Sequence, residues 1–398
     1  MKVHTRIPVA RPWMGEAEAD AARRAILSGW ITQGPEVAAF EQEFAAATGA
    51  RHACAVSSAT SALHLALLAL GVGRDDEVIT VSYSFIATAN AIRYCGAMPV
   101  FVDVELETGN LDPRRLERAM TPRTRAILCV HQLGMPCDLA AILPLARARG
   151  IPVVEDAACA VGSEIRADGE WQRIGRPHGA IACFSFHPRK LLSTGDGGML
   201  TTNDADVDAR LRLLRQHGMS VPDTVRHSSD RVVFESYPIH GFNYRMTDIQ
   251  AAVGREQLKR LETMVVRRRG VAARYSERLA GMRGVSAPVE PEWARTNWQS
   301  YCVRLATGLD QRAIMQAMLD CGIATRRGVM CAHREAAYPQ GSWRCGAGCA
   351  GATCEHLAVG ERLQDTGVVL PLYHDLTEDD QDRVVDSLAD AVRASAMS

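Results

Sequence analysis

Short apolar runs alternate with helical patterns along the first half of the chain. The apolar runs lie at 52–56, 77–81, 99–104, 125–131 and 152–155. Helical patterns fill the intervals at 60–70, 85–95, 113–120 and 139–149. Strands that are continuously apolar and separated by helices are typical of a parallel sheet covered on both faces. The pattern therefore predicts an α/β fold.

The flanking segments extend this pattern. Helices are expected at 15–28 and after the turn at Gly34-Pro35, where a proline suits the first helical turn. Two more strands are predicted at 181–186 and 198–202. The stretch 217–240 is polar and irregular, which predicts a loop.

A long helix is predicted to connect this region to a second structural unit. Thr247, with Gln250 three residues later, has the pattern of a capping box. The helix that it opens is expected to run past Arg260 towards Leu279. Beyond it, the patterns predict a compact α+β unit with elements at 301–305, 310–321, 324–326 and 378–393.

Length supports a division into two domains. The chain has 398 residues, which is more than one hydrophobic core usually serves. We therefore expect a large domain at 1–255 and a smaller C-terminal domain at 256–398.

Composition and charge exclude several classes of partner. The chain is 47% hydrophobic and 23% charged, and its formal net charge is -1. This balance gives no electrostatic reason to expect nucleic acid or a membrane surface as partner. No apolar run approaches the length of a membrane span, and the N-terminus lacks a signal-peptide pattern. The twelve cysteines are mostly scattered singly, as in reduced proteins, so we expect a cytoplasmic enzyme.

Lys190 lies between a predicted strand and a glycine-rich turn at Gly195, Gly197 and Gly198. Partial burial at such a turn favours the uncharged amine, the form that makes a Schiff base. Nearby His187 suits either packing and hydrogen bonding or a proton shuttle.

Two other loops follow predicted strands, where open α/β sheets place ligands. Asp156 ends an apolar strand, and its carboxylate would either cap the surface or hold a protonated ring nitrogen. The loop Ser57-Ser-Ala-Thr-Ser61 precedes a buried helix. Its small residues would either cap that helix or leave backbone N–H groups for a phosphate.

Several motifs in this order resemble the DegT/DnrJ/EryC1/StrS family of pyridoxal phosphate (PLP)-dependent sugar aminotransferases. The resemblance covers nearly the whole chain. It implies a fold type I PLP-dependent transferase, with a mostly parallel seven-stranded sheet in the large domain and a smaller C-terminal α+β domain. The motifs are Ser28-Gly-Trp-Ile-Thr-Gln-Gly-Pro35, Ala62-Leu-His-Leu-Ala66, Phe85-Ile-Ala-Thr-Ala-Asn90, Glu155-Asp-Ala-Ala158, Ser185-Phe-His-Pro-Arg-Lys190, Gly241-Phe-Asn-Tyr-Arg-Met246 and Leu370-Pro-Leu-Tyr373.

The resemblance implies a role for each matched residue. Lys190 would bind PLP covalently as a Schiff base and then move a proton between the substrate carbon and C4′ of the cofactor. Asp156 would pair with the pyridine nitrogen, and Phe85 would stack on the ring. The phosphate would be bound by the backbone N–H groups of Thr60 and Ser61 and by the hydroxyl of Ser185.

Two further positions concern a second subunit and a departure from the family. The resemblance implies that Asn243 reaches the phosphate of the neighbouring subunit's cofactor, so we expect a homodimer with a shared active site. The resemblance also implies that Cys159 lies near the ring's 3′ oxygen, at a position where relatives often carry Gln or His. Cysteine is a weaker hydrogen-bonding group than either.

The implied activity is transfer of an amino group from glutamate or glutamine to a keto sugar, carried on a nucleotide. A cyclitol ketone is a second possible acceptor. A PLP-dependent deoxysugar dehydratase and a catalytically silent regulatory protein are two competing interpretations. Family members that act as dehydratases carry histidine at the position of Lys190, and a silent protein has no chemical need for Lys190, Asp156 and Ser185 together.

A second cluster of potential ligands lies near the C-terminus. Soft ligands at short spacing can bind zinc or an iron–sulfur cluster. The spacing here matches no familiar Cys-x-x-Cys pair, so we expect an insertion loop without metal. The residues are Cys345, Cys349, Cys354 and His356, with Cys331 and His333 upstream.

Overall fold

A computed structural model describes residues 6–222, 225–226, 229–348 and 354–397. Its strands are β1 (His52–Val56), β2 (Glu77–Val81), β3 (Met98–Val102), β4 (Thr124–Val130), β5 (Val153–Asp156), β6 (Glu164–Ala167), β7 (Glu170–Arg173), β8 (Ile181–Ser185), β9 (Gly198–Thr202), β10 (Val285–Ser286), β11 (Ala294–Arg295), β12 (Tyr301–Leu305), β13 (Arg326–Arg327), β14 (Arg344–Cys345) and β15 (Gly367–Leu370).

The helices cover both faces of the main sheet and build the C-terminal part. They are α1 (Glu16–Leu27), α2 (Pro35–Thr48), α3 (Ala59–Ala69), α4 (Ala87–Tyr94), α5 (Leu116–Ala119), α6 (Leu139–Ala148), α7 (Ala205–Arg215), α8 (Asp248–Lys259), α9 (Leu261–Leu279), α10 (Gln311–Asp320), α11 (Ala358–Thr366) and α12 (Glu378–Ala396). Among the described residues, none of them is long and apolar enough to cross a membrane.

The main sheet has the strand order β1-β9-β8-β5-β4-β2-β3-β14. All pairs from β8 to β14 are parallel, whereas β9 runs antiparallel to both β1 and β8. The predicted α/β fold with a mostly parallel sheet is therefore confirmed. The eighth strand, β14, was not predicted, because two residues carry no periodic signal.

Both faces of this sheet are buried, which explains why its strands read as continuous apolar runs. In β8, Ala182 and Phe184 pack on one face, and Ile181 and Cys183 pack on the other. Helix α3 covers the second of these faces with a nearly continuous apolar surface. Parallel strands covered on both sides lose the polar alternation of a half-exposed sheet.

A four-stranded antiparallel sheet of order β10-β12-β15-β13 organises the C-terminal part. Its strand β12 alternates buried and partly exposed residues, as one covered face requires. Tyr275 and Tyr301 are the largest fully buried side chains of its core, which Ile7 joins from the N-terminal segment. A third sheet, of order β11-β6-β7, was not predicted. The domain boundary at 255/256 stays a prediction.

The connecting helix is interrupted. The predicted capping box at Thr247 and Gln250 is present. Helix α8 ends at Lys259, because Arg260 adopts φ -101° and ψ 3°, and α9 begins at the next residue. The Arg260 guanidinium contacts Trp13 O and Glu18 instead of following the helix surface. The apolar pattern continues across this break, which is why the sequence predicted one helix.

Candidate active site

A cavity of about 520 Å³ opens where β4, β5 and β8 end. Each of these neighbouring parallel strands contributes its last residue, Val130, Asp156 and Ser185 respectively. Carboxyl ends of parallel strands are the usual ligand site of open α/β sheets. Six predicted site residues line this one cavity: Thr60, Phe85, Asp156, Cys159, Ser185 and Lys190.

Asp156 presents a buried carboxylate to the cavity, with only 5% of the residue exposed. Its Oδ2 accepts a 2.8 Å hydrogen bond from the Thr88 hydroxyl, and its Oδ1 accepts one of 3.2 Å from the backbone N–H of Ala158. Burial raises the pKa of Asp156, although these hydrogen bonds and the charge of Lys190 act in the opposite direction. The surroundings of Asp156 thus favour a proton on its carboxylate more than water does.

Thr88 and Ser84 are site residues that the sequence did not predict. The Ser84 hydroxyl lies 2.8 Å from that of Thr88, so the two hydroxyls and Asp156 form a buried chain. Ser84 and Thr88 are 3% and 1% exposed. The sequence feature that could have pointed to Thr88 as a site residue is its position inside the motif Phe85-Ile-Ala-Thr-Ala-Asn90.

The neighbouring carboxylate, Glu155, points away from the cavity and anchors the strand. Its oxygens accept hydrogen bonds from His131 Nε2 and from the backbone N–H groups of His178 and Gly179. Burial raises the pKa of Glu155, but these hydrogen bonds outweigh it and hold the pKa below its ordinary value. Since successive residues of a strand face opposite sides, Glu155 fixes the strand that carries Asp156.

Lys190 lies half-buried just after the turn that follows β8. Its backbone N–H donates to His187 O at 2.7 Å, and its Nζ donates to Cys159 Sγ at 2.9 Å. The backbone N–H of Arg189 donates to His187 Nδ1 at 3.2 Å, which places the neutral imidazole's proton on Nε2. Burial lowers the pKa of His187, so this neutral form prevails at pH 7. The packing and proton-shuttle roles of His187 both stay predictions.

The start of α3 supplies backbone N–H groups to the cavity. Ser58 caps the helix, and its hydroxyl accepts the N–H of Ser61 at 3.1 Å. The first N–H groups of a helix have no partner inside it, so those of Ala59 and Thr60 suit an anion. Ser61 itself is turned towards the hydroxyls of Ser57 and Ser58. Its predicted contact with phosphate stays a prediction.

Gly198 lets this loop approach the first residue of β9. A Cβ at Gly198 would lie 2.5 Å from the carbonyl carbon and oxygen of Ser58 and 2.8 Å from Ala59 N. A Cβ does not approach non-bonded atoms this closely, so a larger residue would displace the loop. Gly198 therefore permits a backbone approach that no larger residue would allow.

Asn243 lies outside the cavity of its own chain. Its side chain is exposed, and its backbone forms an antiparallel bridge with Gln216. The predicted contact with a neighbouring subunit's cofactor stays a prediction. Phe85 does line the cavity and is 62% exposed, so its ring is accessible.

Arginines line the mouth of the cavity. Arg189 comes from the turn before Lys190, and Arg326 and Arg327 come from β13 of the C-terminal sheet. All three are exposed, and Arg327 reaches Glu335 at 3.3 Å. The cavity therefore lies between the main sheet and the C-terminal sheet. Three arginines outnumber the exposed Asp196 at its rim, so the rim is cationic overall.

The cysteine-rich segment was predicted to be an insertion loop. Cys345 Sγ and Cys354 Sγ lie 2.8 Å apart and are buried, whereas Cys349 lies outside the described residues. His333 hydrogen-bonds to Ser82 and Glu361. Within the described ranges, no group of three or more His, Cys, Asp or Glu side chains is arranged to hold a metal ion.

The donor set of the cavity matches PLP. The start of α3 offers N–H groups to a phosphate, and Gly198 keeps that cradle open. Asp156 offers a buried carboxylate to a protonated ring nitrogen, whose positive charge would offset the burial that raises its pKa. Lys190 offers an amine to an aldehyde carbon. The residues present therefore fit the group that the sequence predicted.

Comparison with known proteins agrees with this fit. The model of the DegT/DnrJ/EryC1/StrS aminotransferase family matches residues 12–389. The spore coat polysaccharide biosynthesis protein SpsC of Bacillus subtilis (strain 168) is 37% identical over 393 residues, which cover 98% of each chain.

Solved structures share the whole architecture. The aminotransferase TlmJ from Streptoalloteichus hindustanus is 34% identical, with a TM-score of 0.86 and coverage of 98% of this chain and 99% of TlmJ. DesV from S. venezuelae, in complex with a ketimine intermediate, is 34% identical, with a TM-score of 0.84 and coverage of 97% and 98%.

Proposed function

The chain belongs to the DegT/DnrJ/EryC1/StrS aminotransferase family, and from that premise we propose that it transfers an amino group from glutamate or glutamine to a nucleotide-linked keto sugar, with PLP bound covalently at Lys190. The observation that carries this proposal is the convergence of Lys190, Asp156 and the start of α3 on one cavity. Each of these groups would bind a different part of the cofactor: its aldehyde carbon, its ring nitrogen and its phosphate.

Bound PLP supplies a ring that withdraws electrons from the substrate carbon. Asp156, through its negative charge, would keep a proton on the ring nitrogen. Lys190 would hold the cofactor and, once its amine is free, would take up the proton that leaves the substrate carbon. Thr60 and Ser185 would hold the phosphate end, and Phe85 would lie against the ring.

The cationic rim supports an acceptor that carries phosphate. Arg189, Arg326 and Arg327 give the mouth three guanidinium groups, which bind phosphate oxygens in a bidentate manner. A free cyclitol ketone would offer these guanidinium groups no phosphate. SpsC, by its name, acts in the synthesis of a polysaccharide, and we propose a similar destination for the amino sugar made by this chain.

The active unit that we propose is a homodimer in which Asn243 of one subunit reaches the phosphate in the other. Asn243 is exposed and lies away from the cavity of its own chain, as such a role requires. Lysine at position 190, where dehydratases of the family have histidine, favours transamination over dehydration.

One experiment tests the assignment directly. Purified protein with PLP is expected to absorb visible light, and borohydride should fix the cofactor to the peptide that contains Lys190. A panel of nucleotide-linked and free keto sugars, with glutamate or glutamine as donor, would then identify the acceptor. Full transamination by Lys190→Ala would refute the proposal.

A further inference from the structure

Cys159 contacts the amine of Lys190 rather than lying apart from it. Lys190 Nζ donates to Cys159 Sγ at 2.9 Å, and both residues are half-buried in the wall of the cavity. The two residues come from the loops that follow β5 and β8. The sulfur is therefore the acceptor that orients this amine.

A short segment before β12 holds these two loops together. Asn297 is completely buried, and its Nδ2 donates to Cys159 O at 2.9 Å and to Val161 O at 2.7 Å. Two residues later, the Gln299 amide donates to Arg189 O at 2.9 Å. The backbone N–H of Gln299 donates in turn to Asn297 Oδ1 at 2.8 Å. One segment thus fixes the loop of Cys159 and the residue before Lys190.

We propose that Cys159 is a positioning residue for Lys190, and that Asn297 and Gln299 hold the two loops in the register that their contact requires. This inference rests on the proposed function, because it concerns the amine that would carry PLP. It differs from a role in binding the ring's 3′ oxygen, since the partner of the sulfur is the lysine itself.

The contact restricts the rotamers of the long Lys190 side chain and keeps Nζ directed into the cavity. Removing the sulfur therefore places the amine less accurately. A small reagent that can approach the amine from any side does not need that placement, whereas a cofactor held at its other end by the cavity does.

Two rates measured on Cys159→Ala test this placement. The first is acetylation of Lys190 by a small anhydride in cofactor-free protein, followed by peptide mass spectrometry, and it is expected to stay within about threefold of wild type. The second is the capture of PLP, followed by visible absorbance, and it is expected to fall about tenfold, the effect of losing one hydrogen bond.

Two control variants show whether a change of rate in Cys159→Ala comes from losing the acceptor next to Lys190. Cys159→Ser retains an acceptor and is expected to keep both rates within about threefold of wild type. Cys321→Ala removes an exposed thiol outside the cavity and should change neither rate. Equal losses of both rates in Cys159→Ala would overturn the positioning role, and so would an unchanged rate of PLP capture. Failure of every form, wild type included, to capture PLP would refute the proposed function instead, since the acetylation arm needs no cofactor.

Discussion

Replacing Thr88 by valine removes the hydroxyl that donates to Asp156 and keeps the shape of the side chain. The hydrogen bond spans 2.8 Å between two residues that are 1% and 5% exposed, so water does not replace it. A hydrogen bond to a charged acceptor contributes about 1.5–3 kcal/mol. It favours the ionised carboxylate, which is the form that a protonated ring nitrogen requires. At about 1.4 kcal/mol per factor of ten, the dissociation constant of PLP should rise at least about tenfold.

Fluorescence titration of the cofactor-free variant with PLP measures this change. Thr88→Ser keeps the hydroxyl and is the matched control, expected to bind within about threefold of wild type. Ser84→Ala removes only the outer hydroxyl of the chain and should have an intermediate effect. If Thr88→Val bound PLP as tightly as wild type, the hydroxyl would have no part in setting the charge of Asp156, and the reasoning would fail.

Further predictions concern the glycine cradle, the pH dependence, the dimer and the metal. Gly198→Ala should lower the free energy of unfolding, measured in urea, by about 1–3 kcal/mol and weaken PLP binding, because the new Cβ would meet the Ser58 backbone. An unchanged affinity for PLP would show that Gly198 is not needed to place the N–H groups at the start of α3. Since the pKa of Asp156 is raised, its contribution to stability is complete below about pH 3.9 and is lost as pH rises through the folded value. Urea denaturation of cofactor-free protein at a series of pH values should therefore show wild type losing stability relative to Asp156→Asn as pH rises from about 3.9 to the pKa of Asp156 in the folded protein. Mixing inactive Lys190→Ala and Asn243→Ala subunits should regenerate activity through hybrid dimers with one intact site, and no recovery would argue against a shared site. Metal analysis of purified protein should find no stoichiometric zinc or iron.

The sequence by itself determined the elements and the ends of the strands. Apolar runs on β4, β5 and β8 indicated buried parallel strands, and the residues that follow such strands meet at one edge of the sheet. The positions of these strand ends were sufficient to predict that Asp156, Ser185 and Lys190 lie in one site. The capping box at Thr247 was equally local, since both of its residues lie in one helical turn.

Tertiary structure alone decided which side chains touch across the cavity. The contacts of Thr88 with Asp156 and of Cys159 with Lys190 join residues 68 and 31 positions apart. No periodic pattern encodes such pairs, because they depend on how α4 and the loops after β5 and β8 pack together. The short strand β14 and the break at Arg260 were likewise invisible in the sequence. Both involve contacts with distant segments, whereas a sequence pattern reports only the period and the buried face of each element.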